Sequence, residues 1–295
     1  MQTPEESILG IDFGGTKVAL RVMHQDGTTR DQRLKIGVGE DAHSVIDRTL
    51  AAAVELGHNV AAAGISTPGI VHDERVDLAP NVVGWSDLSL TNRLRDGLGA
   101  REIVVENDVK AAALAEVREG ELRGVDAGLY VNLGTGIAIA PIVAGAIVRG
   151  AHGAAGEIGY GVVGTVLDFS GKGAPLEEFA GGGGLTRRIR ESGLGINDVE
   201  SLVALSATNS EAATLWMSAI DEIARHLVTA ALTIDPARIV LGGGMVRAGD
   251  ALMVPLSERL VGALPYAPTI AVSAFGHDAA LSGALMLAND RLTGR

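Results

Sequence analysis

The chain has 295 residues, enough for two domains of ordinary size, and its 47% hydrophobic content is that of a chain with a real core. Aromatic residues make up only 3%, so that core must be built mainly from Ala, Val, Leu and Ile. A net charge of −12 disfavours nucleic acid as a partner, and the lack of cysteine excludes disulfides, thiolate catalysis and cysteine-ligated zinc.

The opening MQTPEESILGIDFGG has acidic residues where a signal peptide needs basic ones, and no run of about 20 apolar residues occurs anywhere. A cytoplasmic protein with no membrane partner is expected. Ser7–Phe13 reads as a buried strand, followed by a Gly14-Gly15 turn, a strand over Lys17–Met23, an Asp26-Gly27 turn and a third strand over Thr28–Ile36. That pattern is an antiparallel meander. His43–Leu56 has helical periodicity, Val60–Ser66 is a buried strand, Ser89–Leu98 is helical and Glu102–Val105 is again a buried strand.

Asn107 or Asp108 opens a helix over Val109–Glu119, and either residue suits the N-cap. Leu129–Leu133 and Ile137–Val143 flank Gly134-Thr135-Gly136 as a hairpin, extended by Ala146–Val148. Ala151–Gly184 is glycine-rich and takes no assignment. A long helix follows over Glu211–Thr233, then a strand over Arg238–Leu241 that runs into Gly242-Gly243-Gly244. Ala248–Leu264 and His277–Ala288 read as helices with a strand, Thr269–Ser273, between them. The two halves share one plan, a β-rich start with a glycine hairpin and then helices, which is a weak repeat of architecture.

Five motifs carry possible chemistry. In Asp12-Phe13-Gly14-Gly15-Thr16-Lys17, glycines let backbone N–H groups approach phosphate, Thr16 and Lys17 can reach phosphate, and Asp12 can hold Mg²⁺ through water. An ordinary hairpin with solvated ends accounts for the same residues. Gly134-Thr135-Gly136 repeats that logic. Asp108 stands where a buried strand becomes a helix, so the helix N-terminus favours its ionised form and it can accept the proton of an attacking hydroxyl; a plain cap is the commoner use of Asn-Asp there. In Gly150–Tyr160, Glu157 can accept hydrogen bonds from sugar hydroxyls, or be one exposed carboxylate in a surface loop. Gly242-Gly243-Gly244 leaves room for a flat ring, or simply turns the chain. The match of Gly159–Gly164 to GxGxxG lacks the flanking strand and helix that motif needs, and no Walker loop, G-x-S-x-G or H-E-x-x-H is present.

In order along the chain, IDFGGTK, GISTPGIV at 64–71, APNVVGW at 79–85, ENDVKAAALAE at 106–116, NLGTGIAIA at 132–140, RGAHGAAGEIGY at 149–160, PLEEFAGG at 175–182 and IVLGGGM at 239–245 resemble the ROK family, repressors and sugar kinases of the actin-like, hexokinase-like ATPase superfamily. The resemblance implies a two-domain α/β actin-like (ribonuclease H-like) fold with an interdomain cleft. It divides the chain into residues 1–112, completed by the helix at 277–295, and residues 113–276. It also implies an ATP- and Mg²⁺-dependent, glucokinase-like sugar kinase and a homodimer. Asp12, Gly14, Gly15, Thr16, Lys17, Gly134, Thr135 and Gly136 then face the phosphates, and Gly242, Gly243 and Gly244 the adenosine. Asn107, Asp108, Glu157, Tyr160 and Glu177 face the sugar, with Asp108 as the base and Gly69 and Asn81 as further contacts.

Two departures bear on specificity. The family usually has a zinc-binding His where Tyr160 stands, and a cysteine cluster where this chain reads VLDFSGKGAPL over 166–176. A branch without zinc is expected. A ROK-type regulator is the alternative reading, opposed by the acidic chain and by the eleven residues before Asp12, where family repressors carry a DNA-binding domain. A non-catalytic sugar-binding protein is a third, opposed by the presence of Asp108, Asp12 and Lys17.

Overall fold

Two five-stranded sheets, each opened by a glycine turn, organise the chain. The structure is a computed structural model and describes residues 6–37, 39–57, 59–72, 76–77, 84–85, 88–164 and 173–294. These group into two compact units, one from 1–118, 149–154 and 278–295 and the other from 119–148 and 155–277.

In the first unit β1 (Ser7–Phe13) turns at Gly14-Gly15 into β2 (Lys17–His24), with the Gly14 N–H donating to the Lys17 carbonyl at 2.9 Å. A second turn, in which Gly27 takes a φ of 82°, leads to β3 (Thr29–Lys35). This is the expected meander. Beyond α1 (Ala42–Leu56), β4 (Val60–Thr67) pairs with β1 in parallel. A short hairpin of β5 (Ile70–Val71) and β6 (Val76–Asp77) follows, then α2 (Leu90–Leu98) and β7 (Glu102–Asn107), which closes the order β3-β2-β1-β4-β7. The next helix, α3 (Asp108–Glu119), starts one residue earlier than the periodicity indicated. Leu9, Ile11 and Phe13 face a core shared with Val45, Ile46 and Leu94. Buried Trp85 meets Phe13 edge-on at 4.9 Å and donates its indole N–H to Thr67 Oγ1 at 3.0 Å.

The other face of β1 and β4 is covered by a helix late in the chain, α9 (Ala279–Thr293). Its approach rests on glycine. A Cβ on Gly64 would strike the Ala284 carbonyl, one on Gly10 would lie 2.8 Å from Leu285 Cγ, and one on Gly283 would overlap Ala111 of α3. The first of the two compact units runs through Arg118, near the end of α3.

The second unit repeats the plan. β8 (Gly128–Leu133), β9 (Ile137–Val143) and β10 (Ala146–Ile147) form a meander, and β11 (Arg238–Gly242) and β12 (Thr269–Val272) add in parallel, in the order β10-β9-β8-β11-β12. Strand directions match those of the first sheet one for one, which gives the sequence-level repeat a structural basis. Between β10 and β11 come α4 (Pro175–Ala180), α5 (Gly182–Glu191), α6 (Val199–Ser206) and α7 (Ser210–Ile234). Trp216 of α7 is fully buried in an aliphatic core and donates to the Ala251 carbonyl at 3.0 Å. The helix expected over Ala248–Leu264 is present as α8 (Asp250–Ala263), starting two residues later and ending one earlier, and a 3₁₀ turn, Gly244–Ala248, precedes it. Gly249, at φ 54°, breaks the two apart. The last helix likewise opens with a 3₁₀ turn, Gly276–Asp278, and runs five residues past Ala288.

The tight seat of α9 gives a direct test. Gly64→Ala should lower the unfolding free energy by at least ~2 kcal/mol in urea titration, because a methyl is forced into a backbone carbonyl. Gly262→Ala, in α8 with open space around it, should raise stability by about 0.5–1 kcal/mol.

Candidate active site

The β1–β2 turn leaves Gly15, Thr16 and Lys17 exposed, while Asp12 is part-buried at the strand end. Ser66 of the neighbouring strand donates its hydroxyl to Asp12 Oδ1 at 2.7 Å. Burial pushes the Asp12 carboxyl above its ordinary range and outweighs the Ser66 hydrogen bond and the charges of Lys17 and Arg33; Asp278 adds to the rise. Asp278 is itself held by Arg33 at 2.7 Å and Arg21 at 3.2 Å, and Arg21 grips Asp31 through two bonds of 2.7 and 2.6 Å.

At the end of β7 the structure decides which residue caps α3. Asn107 Oδ1 accepts the N–H groups of Val109 and Lys110 at 3.0 and 3.1 Å, and its Nδ2 donates to the Gly69 carbonyl at 3.0 Å. Asn107 is the cap, and Asp108 is the first helical residue, half-buried, its Oδ1 accepting the adjacent Val109 N–H at 2.9 Å. Glu106 backs this corner: its Oε1 accepts the Asn107 N–H at 2.9 Å and its Oε2 takes Arg149 Nε at 2.5 Å. Gly69, at φ 96°, is thereby joined to Asn107. Asn81 lies outside the described residues.

In the second unit the Gly134-Thr135-Gly136 turn is docked on the start of α5, the N–H groups of Gly182 and Gly183 donating to the carbonyls of Gly134 and Thr135 at 2.8 and 3.1 Å. Glu177 reaches the same turn, its Oε2 accepting the Ile137 N–H at 3.1 Å; a Cβ on Gly136 would collide with that carboxylate. Glu157 precedes a 3₁₀ turn, Ile158–Tyr160, that lies beside Glu177: a Cβ on Gly159 would come within 3.3 Å of Glu177 Cβ and 2.7 Å of the Ile137 carbonyl. Tyr160 is 43% exposed. Burial, and then the nearby charges of Glu157 and Glu177, push its phenol upward, so it stays a hydrogen-bond donor at neutral pH. Glu157, Tyr160 and Glu177 therefore share one neighbourhood.

The three glycines after β11 divide by cause. A Cβ on Gly242 would run into the Tyr130 ring and hydroxyl, and one on Gly243, at φ 86°, would meet the Leu133 carbonyl at 2.5 Å. Only Gly244 has open space, with Arg247 Nη2 3.7 Å away. The protein's own packing thus accounts for two glycines that the sequence assigns to a ligand ring. Sequence reasoning gave no role to Ser66, Glu106, Arg149 or Asp278, though the first three lie inside the quoted motifs; their partners, apart from the Asn107 amide beside Glu106, are distant in the chain.

The sequence profile of the ROK family matches residues 8–291. The chain belongs to the ROK family. This ROK protein is 28% identical to a glucokinase of Thermotoga maritima, over 99% of the chain and the whole of that enzyme. Among solved structures, a ROK glucokinase of Streptomyces griseus in complex with glucose and AMPPNP superposes with a TM-score of 0.80 at 25% identity, over 96% of this chain and 99% of that one. A ROK hexokinase of Thermus thermophilus gives 0.79 at 28% identity, over 98% and 100%. Residues 165–172 of this ROK protein, most of the stretch that stands in place of the family's cysteine cluster, lie outside the described residues.

The raised Asp12 pKa carries a stability signature. Unfolded, the carboxyl ionises near 3.8; folded, it keeps its proton to higher pH. Between the two values the folded state binds more protons, so stability falls as pH rises, and the full cost persists above the folded value. Asp12→Asn should therefore melt at a higher temperature than the unmodified protein at pH 7. That margin should shrink as pH is lowered through the raised value. A margin constant with pH would rule out burial of charge as its source.

Proposed function

We propose that this ROK protein is an ATP-dependent sugar kinase in which Asp108 is the general base. The observation that carries the assignment is the cap at Asn107. With Asn107 meeting the first amides of α3, Asp108 is the first residue of the helix, half-buried where β7 ends. Kinship with glucokinases and with a ROK glucokinase holding glucose and AMPPNP supports the same chemistry.

The step balances simply. A sugar hydroxyl oxygen attacks the γ-phosphorus, its proton passes to an Asp108 carboxylate oxygen, and the bond from the γ-phosphorus to the bridging oxygen breaks to release ADP. Glu157 and Glu177 accept hydrogen bonds from other sugar hydroxyls, the Tyr160 hydroxyl donates one, and Asn107, Gly69 and Asn81 complete the sugar contacts. Gly14, Gly15, Thr16 and Lys17 offer N–H groups, a hydroxyl and an ammonium to phosphate, as do Gly134, Thr135 and Gly136 without the charge. Gly242, Gly243 and Gly244 take the adenosine side, with Gly244 the one that has room for it.

Asp12 suits a hard cation. A carboxylate whose charge is penalised by burial gains from a nearby dication, and oxygen donors are what Mg²⁺ prefers. Bound Mg²⁺ would offset charge on the β- and γ-phosphate oxygens, with Asp12 holding it through water. The same reading makes the protein a cytoplasmic homodimer that needs no zinc. No described helix is long and apolar enough to cross a membrane.

The test is ADP release over a panel of neutral hexoses and N-acetylated amino sugars, with and without Mg²⁺. At least one sugar should turn over, and only with Mg²⁺. Asp108→Ala should lower kcat by about 10²–10⁴-fold, the usual worth of a positioned base, with little change in the KM for ATP. No turnover on any sugar, or an unimpaired Asp108→Ala, would refute the reading.

A further inference from the structure

The turn that bears Glu157 and Tyr160 is backed by a residue with no place in the chemistry above. His226 lies midway along α7, half-buried. Its Nδ1 is 2.9 Å from the Glu222 carbonyl one turn earlier. A carbonyl can only accept, so Nδ1 carries the proton and the ring is held by its own helix. With Nδ1 anchored, the opposite edge of the ring, Nε2 and Cδ2, faces Gly161, the residue after Tyr160. A Cβ placed on Gly161 would collide with both of those ring atoms.

Gly161 does not need to be glycine for its own backbone. It sits at φ −62°, ψ 146°, where any L-residue is comfortable. What excludes a side chain is chiefly the imidazole, with the Ile158 carbonyl a lesser obstacle at 2.9 Å. Gly161 is also a junction. Its N–H donates to the Ile158 carbonyl at 2.8 Å, closing the 3₁₀ turn, and its carbonyl accepts the Leu176 N–H at 3.1 Å, at the start of the helix that bears Glu177. On its other side the same turn rests, through Gly159, against Ile137 and Glu177. The segment from Glu157 to Gly161 is thus held between the Glu177 side and the His226 ring.

We infer that His226 is a positioning residue for the sugar site: its ring, pressed on Gly161, sets the placement of Glu157, Tyr160 and, through Leu176, Glu177. This rests on the reading of those three residues as sugar contacts. The effect belongs to the sugar half of the reaction, because His226 packs on the segment that bears Glu157 and Tyr160 and, through Leu176, on the helix that bears Glu177.

The experiment is a double-mutant cycle on the full-length protein with His226→Ala, Gly161→Ala and both together. Sugar KM, ATP KM, kcat and Tm are measured for each. His226→Ala should raise the sugar KM about tenfold, the scale of losing one well-placed hydrogen bond to a charged group, and leave the ATP KM unchanged. Gly161→Ala should act in the same direction. The double variant should be no worse than Gly161→Ala alone in sugar KM or in Tm, because removing the ring removes the collision. An unchanged sugar KM in His226→Ala, equal shifts in sugar and ATP KM, or single effects that simply multiply would overturn the inference. If the protein proves not to be a kinase, sugar affinity by calorimetry replaces KM in the same cycle. The coupling in Tm reports the His226–Gly161 packing whatever the activity.

Discussion

The carboxamide of Asn107 holds together the corner where β7 runs into α3. Its oxygen satisfies two of the orphan amides at the start of α3, and its nitrogen ties in the Gly69 carbonyl. Strand end, helix start and neighbouring turn are thereby one rigid piece. Behind it, Glu106 steadies the Asn107 amide with one oxygen and Arg149 with the other.

The second unit reaches a similar end by different means. There the ordering element is close backbone approach, not a cap. Gly136 yields space to the Glu177 carboxylate, Gly156 to the Ile139 carbonyl, Gly184 to the Glu178 carbonyl and Gly161 to His226. Each contact leaves no room for a single methyl group. The abundance of glycine, 40 residues in all, reflects this packing as much as any need for flexible loops. It also suits a core poor in aromatic residues, where small side chains let elements approach each other closely.

How much of this the sequence disclosed follows the range of the interactions involved. The meander over β1, β2 and β3 was readable because Gly14-Gly15 and Asp26-Gly27 act on their immediate neighbours. The motif order also disclosed the family, whose profile runs from residue 8 to 291. The stretch from Ala151 to Gly184 resisted assignment because glycines such as Gly153, Gly161 and Gly182 answer to partners far along the chain, and α4 has only six residues in which to show a period. The start of α8 was read only two residues early, at Ala248 instead of Asp250. Asn107 and Asp108 could not be told apart as caps, since both side chains suit the role and only the position of Gly69 favours one. His226 gave no signal at all, for its partner is 65 positions away and is a glycine.

The seat of α9 on β1 and β4 has a consequence for how the protein is made. The second unit is contained within residues 119–277, so both of its segments are in hand once that stretch has left the ribosome. The first unit begins earlier but cannot close until residues 279–293 arrive to cover one face of its sheet. Until then β1 and β4 present Ile8, Ala62 and the bare backbone of Gly10 and Gly64 with nothing to cover them. The half that starts first is finished last, and its exposed sheet is the stage at which a nascent chain is most open to aggregation or to a chaperone.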